Sequence, residues 1–330
     1  MSWSSVRRGI FACAFAILTP SFATAQKADD YPNRIIKIVV PFAAGSTSDV
    51  LARMLQPRMS EFLKQNVIVE NKPGAAGNLA VEQVARSEAD GHTLLLGNVG
   101  TISINPFLFA HLGVDPVRDL APVSTVAENV SILIANPKFP PKTVDEFIKY
   151  AKANPGKVNF ASPGAGSLNR LKMELLRQKY GLDVLHVPYK GGGAPAVADL
   201  IAGHVNILFV TLSSALGPVQ SGDLRALAVT AAKRLPLLPE VPTMVELKVE
   251  DDTSPSWQGI LAPAGTPRPV IDKLHAAVTY AMADPELRRR LEANGDVPIT
   301  SASPEAFKAL IAKETERWSK IIRDANIKVE

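Results

Sequence analysis

Short apolar runs alternate along the chain with segments whose apolar residues recur at helical spacing. Residues 35–40 form a nearly continuous apolar run rich in β-branched side chains, which predicts a parallel strand covered on both faces. Apolar residues in 51–63 then recur every three or four positions, which predicts a helix capped by Ser48 or Asp49. Pro57 predicts a kink in this helix or a later start.

The same alternation continues to the end of the chain. It predicts strands at 67–70, 93–97, 158–161, 184–188, 205–210 and 224–230, and helices at 78–87, 168–180, 195–202, 267–283 and 304–325. Strands that alternate with helices in this way are typical of doubly wound α/β domains, in which helices cover both faces of a mostly parallel sheet.

The length of 330 residues exceeds what one hydrophobic core usually supports, so two domains are expected. Residues 130–135 and 258–262 are short apolar strands bounded by proline, and we interpret them as the segments where the chain crosses between domains. The predicted first domain is therefore discontinuous, with residues 26–125 and 254–330. The second comprises residues 126–253.

The N-terminus has the features of a cleaved signal peptide over residues 1–25. Arg7 and Arg8 precede an apolar stretch, and small residues ending at Ala25 form the cleavage site. The apolar stretch is far short of the ~20 residues that a membrane-spanning helix needs. We therefore expect export to the periplasm. The single cysteine, Cys13, lies inside this segment, so the mature chain is expected to contain no disulfide or cysteine nucleophile.

Composition and motif searches exclude several function classes. The net charge is only +4 with no basic block, which argues against nucleic acid as a partner. The five histidines lack metal-ligand spacing, and the sequence has no nucleophile-elbow or phosphate-loop motif. Residues 191–196 match a dinucleotide fingerprint, but no acidic residue ends the next strand. We expect no cofactor, no metal and no catalytic residue.

Small and hydroxylic residues follow three of the predicted strands, in the loops 42–49, 97–101 and 162–167. The first loop places Gly45 before three consecutive hydroxyl side chains and a helix start, where unpaired N–H groups favour an anion. A well-capped turn without function is the alternative. In open α/β sheets ligands lie beyond the carboxyl ends of the strands, so the repetition predicts one shared binding site. Arg170 either meets a carboxylate there or is solvated.

Five segments, at residues 41–49, 71–78, 90–95, 187–191 and 261–267, resemble the Bug family, the substrate-binding receptors of tripartite tricarboxylate transporters. The resemblance covers nearly the whole mature chain. It implies a type II periplasmic-binding-protein fold, with two α/β domains joined by crossing strands. It also implies a monomer that captures a small carboxylate and delivers it to a membrane permease.

The resemblance also implies the residues that contact the ligand. They are Phe42, Ala44, Gly45, Ser46, Thr47, Asn98, Thr101, Ser162, Gly166, Ser167, Arg170, Tyr189, Gly191, Val210 and Thr211. Three of them depart from the family pattern: Ser46 replaces a frequent glycine, Arg170 a frequent histidine and Val210 a frequent acid. Loss of that acid removes a partner for an amino group, which favours a simple mono- or dicarboxylate over an amino acid.

Two alternative functions remain open on sequence grounds. The first is an exported α/β hydrolase, which would need a nucleophile paired with a base. The second is a sensory ligand-binding protein that acts through a membrane sensor, because one scaffold can host many roles. The identity of the carboxylate and of the permease lies beyond the sequence.

Overall fold

The chain folds around two mixed β-sheets. The computed structural model describes residues 30–164, 167–189, 192–249, 256–324 and 327. The predicted signal peptide, residues 1–25, lies outside the described residues. Among the described residues, no helix combines the length and the apolar character needed to cross a bilayer.

The first sheet has six strands in the order β11-β4-β10-β3-β1-β2. Strands β1, β2 and β3 are parallel, whereas β10 runs antiparallel between β3 and β4. The strands are β1 Ile36–Val40, β2 Val67–Asn71, β3 Thr93–Asn98, β4 Leu120–Asn129, β10 Trp257–Pro263 and β11 Asp296–Pro298.

The second sheet has five strands in the order β7-β6-β8-β5-β9. Strands β6, β7 and β8 are parallel, and β5 is antiparallel to both of its neighbours. The strands are β5 Ser131–Ala135, β6 Val158–Ser162, β7 Val184–Pro188, β8 Ile207–Thr211 and β9 Arg225–Val229. We call each sheet, with the helices packed on it, a lobe.

Helices cover both faces of each sheet, as the alternating pattern predicted. They are α1 Thr47–Leu63, α2 Asn78–Ala85, α3 Asn105–Leu108, α4 Pro116–Asp119, α5 Val144–Ala153, α6 Leu168–Tyr180, α7 Gly193–Ala202, α8 Leu212–Gln220, α9 Arg268–Met282, α10 Pro285–Ala293 and α11 Pro304–Asp324. Four apolar clusters, two per sheet, fill the spaces between sheet and helices. Burial on both faces explains the continuous apolar runs in the sequence.

Helix α1 begins earlier than predicted. Its N-cap is Ser46, whose Oγ accepts a hydrogen bond from the Asp49 amide at 3.3 Å, so the predicted caps Ser48 and Asp49 lie inside the first turn. The helix also runs through Pro57 to Leu63, so the predicted later start is wrong. The missing proline N–H removes one hydrogen bond without ending the helix.

The chain leaves the first sheet after Asn129 and re-enters it at Trp257. Each segment predicted as a crossing is therefore a strand of one sheet: residues 131–135 form β5, and residues 258–262 lie within β10. The predicted boundary between residues 125 and 126 falls within β4, a few residues before the passage at Val130. The predicted boundary at 253/254 lies outside the described residues.

A buried chain of polar side chains spans the first lobe next to the crossing. Ser48 Oγ donates to Gln258 Oε1 at 2.6 Å, Gln258 Nε2 donates to Asn129 Oδ1 at 2.6 Å, and Asn129 Nδ2 donates to Asp296 Oδ1 at 2.5 Å. Burial raises the pKa of Asp296 to about 6, and the hydrogen bond from Asn129 opposes this only in part. This series of hydrogen bonds connects the first turn of α1 to the last residue of β4.

Replacement of Asp296 by asparagine should change how stability depends on pH. The pKa of Asp296 in the folded state lies above the ordinary value of 3.8. The protonated carboxyl therefore stabilises the folded state fully below about pH 4, and this stabilisation is lost as pH rises to about 6. At 1.36 kcal/mol per pKa unit this loss is about 3 kcal/mol. Asp296→Asn should therefore be more stable than the wild type at pH 7, by up to that amount, and the gain should shrink toward pH 4.

Urea unfolding of the two proteins between pH 4 and pH 7 measures this difference. The exposed Asp183 provides the matched control, and Asp183→Asn should follow the wild type at each pH. A constant difference between Asp296→Asn and the wild type across this range would contradict the prediction.

Candidate functional site

The two sheets present their parallel-strand carboxyl ends, followed by helix starts, to one shared region. The Oγ1 of Thr47, in the first turn of α1, lies 3.1 Å from the Oγ of Ser213, in the first turn of α8. This contact joins the start of α1 in the first lobe to the start of α8 in the second. That the predicted loops of both lobes border one interlobe site stays a prediction.

The loop after β1 is fixed by its own hydrogen bonds. Gly45 has a φ of 81°, a left-handed conformation that favours glycine, and its N–H donates to Asp49 Oδ2 at 2.9 Å. The Ser46 amide donates to the Ala43 carbonyl at 3.1 Å. Phe42 and Thr47 are half-buried, and Ala44 is exposed. The amides of Gly45 and Ser46 thus shape the loop, while the N–H groups of the first helical turn have no partner within the helix.

Asp49 introduces a carboxylate close to this loop, and its charge is compensated. Arg53 Nε lies 3.1 Å from both carboxylate oxygens, and Asn71 Nδ2 donates to Oδ1 at 2.9 Å. Burial acts to raise the pKa of Asp49, but the bonds from Arg53, the Gly45 amide and Asn71 together lower it below its ordinary value. Asp49 therefore stays ionised and holds the loop, and Arg53 neutralises a charge that would otherwise repel an anion.

The segment after β3, which includes a helical turn at Gly100–Ile104, meets the first loop across Gly77. Thr101 Oγ1 donates to the Asn98 carbonyl at 3.1 Å, and Asn98 Oδ1 accepts from the Thr101 amide at 3.0 Å. A Cβ on Gly77 would lie 2.7 Å from Thr101 Cγ2 and 3.0 Å from Pro41 Cβ, so only glycine fits between the two loops. The hydroxyl of Thr101 is committed to its own turn and maintains the loop shape.

In the second lobe, the loop after β6 leads into α6. Ser167 is the N-cap of α6: its Oγ accepts from the Arg170 amide at 3.2 Å and donates to the Gly164 carbonyl at 2.8 Å. Gly166, also predicted to contact the ligand, lies outside the described residues. The Arg170 side chain is 14% exposed, and its Nε lies 3.8 Å from Glu174 Oε1. Arg170 is therefore mostly buried, against the alternative of a solvated side chain.

Ser162 forms a pair with His186 that was not predicted, because the two residues belong to different strands. Ser162 Oγ lies 2.7 Å from His186 Nε2 and is completely buried. Burial, followed by the positive charges of Arg170 and Arg177, lowers the pKa of His186 to about 4. A general base must accept a proton, and this environment disfavours the protonated imidazole. The arrangement suits a fixed structural pair better than the nucleophile and base of a hydrolase.

Tyr189 and Val210 are oriented toward the second lobe itself. The Tyr189 hydroxyl donates to Asp199 Oδ2 at 2.6 Å. Burial, followed by this hydrogen bond, raises the pKa of Tyr189 to about 12. Val210 is fully buried in an apolar cluster with Val197. Thr211 is the N-cap position of α8. Gly191 lies outside the described residues, so its predicted role remains a prediction, as do the roles of the other candidate residues.

Ser213 and Ser214 were missed by the sequence reasoning. Ser213 contacts Thr47, and a Cβ on Gly193 would lie 3.0 Å from Ser214 Oγ and 2.9 Å from Val210 Cγ2. Both serines follow β8, so they satisfy the same rule of hydroxyl side chains after a strand that identified the other loops. The signal was overlooked because α8 itself was not predicted.

The chain matches a family model described as the tripartite tricarboxylate transporter family receptor over residues 51–327. Protein BugT of Bordetella pertussis is 35% identical over 315 residues, which cover 95% of this chain and 96% of BugT. The solved periplasmic binding protein BugD is 36% identical with a TM-score of 0.83 and covers 91% of this chain and 100% of BugD.

Two further solved structures contain bound carboxylates. R. palustris Rpa4515, solved with adipate, has a TM-score of 0.85 at 32% identity and covers 91% of this chain and 100% of Rpa4515. MatC from Rhodopseudomonas palustris, with bound malate, has a TM-score of 0.81 at 33% identity, and the match covers 88% of this chain and 100% of MatC. The fold is therefore that of the periplasmic binding proteins, and the chain belongs to the tripartite tricarboxylate transporter receptor family.

Proposed function

We propose that this protein is an exported periplasmic receptor that binds a small carboxylate between its lobes and delivers it unchanged to a membrane permease of the tripartite tricarboxylate type. The observation that carries the proposal is the contact between Thr47 and Ser213, because it brings the starts of α1 and α8 together at 3.1 Å. Helix starts offer N–H donors and a positive dipole end to an anion.

The proposal includes the organisation of the mature chain. Residues 1–25 act as a cleaved signal peptide, and the mature protein is a monomer of two domains. The first contains residues 26–125 and 254–330 together with the rest of β4, and the second contains the chain between them. A ligand that contacts both domains only when they are close together favours the closed state by its differential affinity. The permease then recognises that state.

We propose a mono- or dicarboxylate as the ligand, with its first carboxylate at the loop led by Phe42 to Thr47. Support comes from the related proteins that were solved with malate and adipate. The second pole is Arg170, whose guanidinium can bind a distal carboxylate with two hydrogen bonds. No chemical step is part of the proposal, since the buried imidazole of His186 is a poor base at a pKa of about 4.

Binding is tested first with malate and adipate against their uncharged diamides. Ligand at 100 times its dissociation constant adds about 2.7 kcal/mol of stability, so a bound dicarboxylate should raise the melting temperature by several degrees while the diamide should not. Isothermal titration calorimetry gives the affinity, and NMR of the recovered ligand checks that it is unchanged. Conversion of the ligand, or equal effects of acid and diamide, would overturn the proposal.

Thr47→Val should weaken carboxylate binding because it removes one hydroxyl and keeps the side-chain shape. A hydrogen bond to a charged group contributes about 1.5–3 kcal/mol, so an affinity loss of about 10- to 100-fold is expected in calorimetry. Ser46 should be left intact, since loss of this N-cap would cost about 1 kcal/mol of stability. Thr279→Val, on an exposed face of α9, is the matched control and should bind like the wild type.

Arg170→Met should lower the affinity for a dicarboxylate more than for a monocarboxylate of equal length, and Arg170→Lys should lose less. In Arg170→Met the buried Glu174 still has Arg177 as an ion-pair partner at 2.7 Å, so the variant should still fold. Because the charge of Arg170 helps to lower the pKa of His186, an NMR titration should find that pKa raised above about 4 in Arg170→Met. Equal losses for both ligand classes would refute the role of Arg170 as the second pole.

A further inference from the structure

Helix α6 presents apolar residues on two faces, and each face packs in a different lobe. Met173 and Leu176 belong to the second-lobe cluster beneath α5 and α6. Leu168 and Leu171, three positions apart, belong instead to the first-lobe cluster that contains Trp257. At 100° per residue the two pairs point in directions roughly 140° apart, so one helix spans the boundary between the lobes.

A buried charge accompanies the first-lobe face of α6. Lys172, next to Leu171, is 2% exposed, and Glu314 of α11 is 1% exposed. The carboxyl group of Glu128, near the end of β4, interacts electrostatically with both. Burial raises the pKa of Glu128, the Lys172 ammonium counteracts this rise, and the Glu314 carboxylate adds to it. The charge of a second-lobe lysine therefore acts on an acid of the first lobe.

The same helix begins at the proposed ligand site. Ser167 caps its first turn, and Arg170 lies two residues before Lys172. Any change in how α6 packs on the first lobe therefore moves Ser167 and Arg170 relative to the loop that contains Thr47.

We propose that Leu168, Leu171 and Lys172 form an interlobe brace, a positioning element that holds the lobes at the spacing at which a ligand can contact both. Its role in binding rests on the proposed function, whereas its effect on lobe spacing does not. The brace touches no ligand in this account. It acts by maintaining the population of the binding-competent arrangement, and the apparent affinity falls in proportion to that population.

One leucine from each apolar face of α6 supplies a matched pair of variants. Leu171→Ala removes a fully buried side chain from the first-lobe face, and Leu176→Ala removes one that is 4% exposed from the second-lobe face of the same helix. Both create a cavity and lower thermal stability. Only Leu171→Ala should loosen the lobes, because only this side chain packs across the boundary.

The lysine supplies an independent test through electrostatics. Lys172→Met removes the attraction between a second-lobe ammonium and the acids of the first lobe, so the lobes should separate. In the Glu128→Gln background, which lacks one of these acids, the same substitution should change the lobe spacing less than it does in the wild type. A double-mutant cycle with this sign requires direct coupling and would not arise from general destabilisation. The exposed Lys157 provides the control variant Lys157→Met.

Lobe spacing is measured by double electron–electron resonance between two nitroxide spin labels. The labels are attached at the exposed positions Lys72 and Ala194, each replaced by cysteine in a Cys13→Ser background. Leu171→Ala and Lys172→Met should give broader distributions with a longer mean distance. Leu176→Ala and Lys157→Met should stay close to the wild type, and the double variant should differ from Glu128→Gln less than Lys172→Met differs from the wild type. Distributions in Leu171→Ala and Lys172→Met that match those of Leu176→Ala and Lys157→Met would overturn the brace.

Calorimetry with malate and adipate completes the experiment, and Leu171→Ala and Lys172→Met should each lose about tenfold or more in affinity. If the wild type binds neither probe nor any other carboxylate, the proposed function fails while the spin-label result still decides the brace. If a variant does not fold, Leu168→Ala takes its place, because Leu168 is 7% exposed on the same face. Unchanged affinity alongside a changed distance would contradict the positioning role.

Discussion

The site depends on the contact between Thr47 and Ser213, which joins the starts of two helices in different lobes. The described chain passes from the first sheet to the second at Val130 and has returned to the first by Trp257. These crossings leave the carboxyl ends of β1 and β3 on one side and those of β6 and β8 on the other. The helices that follow these strands then begin at the same place, which is why donors from distant parts of the sequence converge.

Hydrogen bonds to neighbouring protein groups account for most of the hydroxyl groups that were predicted at this site. Thr101 bonds to Asn98, Ser162 to His186, and Tyr189 to Asp199. These side chains fix the shape of the loops, and a fixed loop holds the N–H groups of α1 and α6 in place before any anion arrives. Preorganised donors cost less to align on binding than flexible ones, so rigid loops favour affinity as well as order.

Charge near the site is balanced close to where it arises. Asp49 is neutralised by Arg53, and Glu174 by Arg177. Arg170, in the first turn of α6 next to the loop after β6, lies 3.8 Å from the same Glu174. Compensation of the acids lets a carboxylate approach a region that would otherwise repel it, and burial strengthens each remaining interaction because the local dielectric is lower.

Local patterns in the sequence were sufficient for most of the strands and for helices α1, α2, α6, α7, α9 and α11, because each depends on residues close together in the chain. Strands β4 and β11 and helices α3, α4, α5, α8 and α10 were not predicted. The N-cap at Ser46 was misplaced by two residues, since three successive hydroxyls each satisfy the same capping rule. Helix α8 was missed because Gly217 and Pro218 weaken its pattern. The Ser162 pair with His186 and the two-faced packing of α6 involve residues of different elements, and one sequence contains no signal for such contacts.

A crystal structure of the protein purified from its native periplasm, with the ligand that it retains, tests the central claim most directly. The account predicts a small carboxylate with one carboxyl group at the start of α1, near Thr47 and Ser213, and its other end toward Arg170. A neutral ligand there, or a carboxylate bound elsewhere on the molecule, would contradict the account.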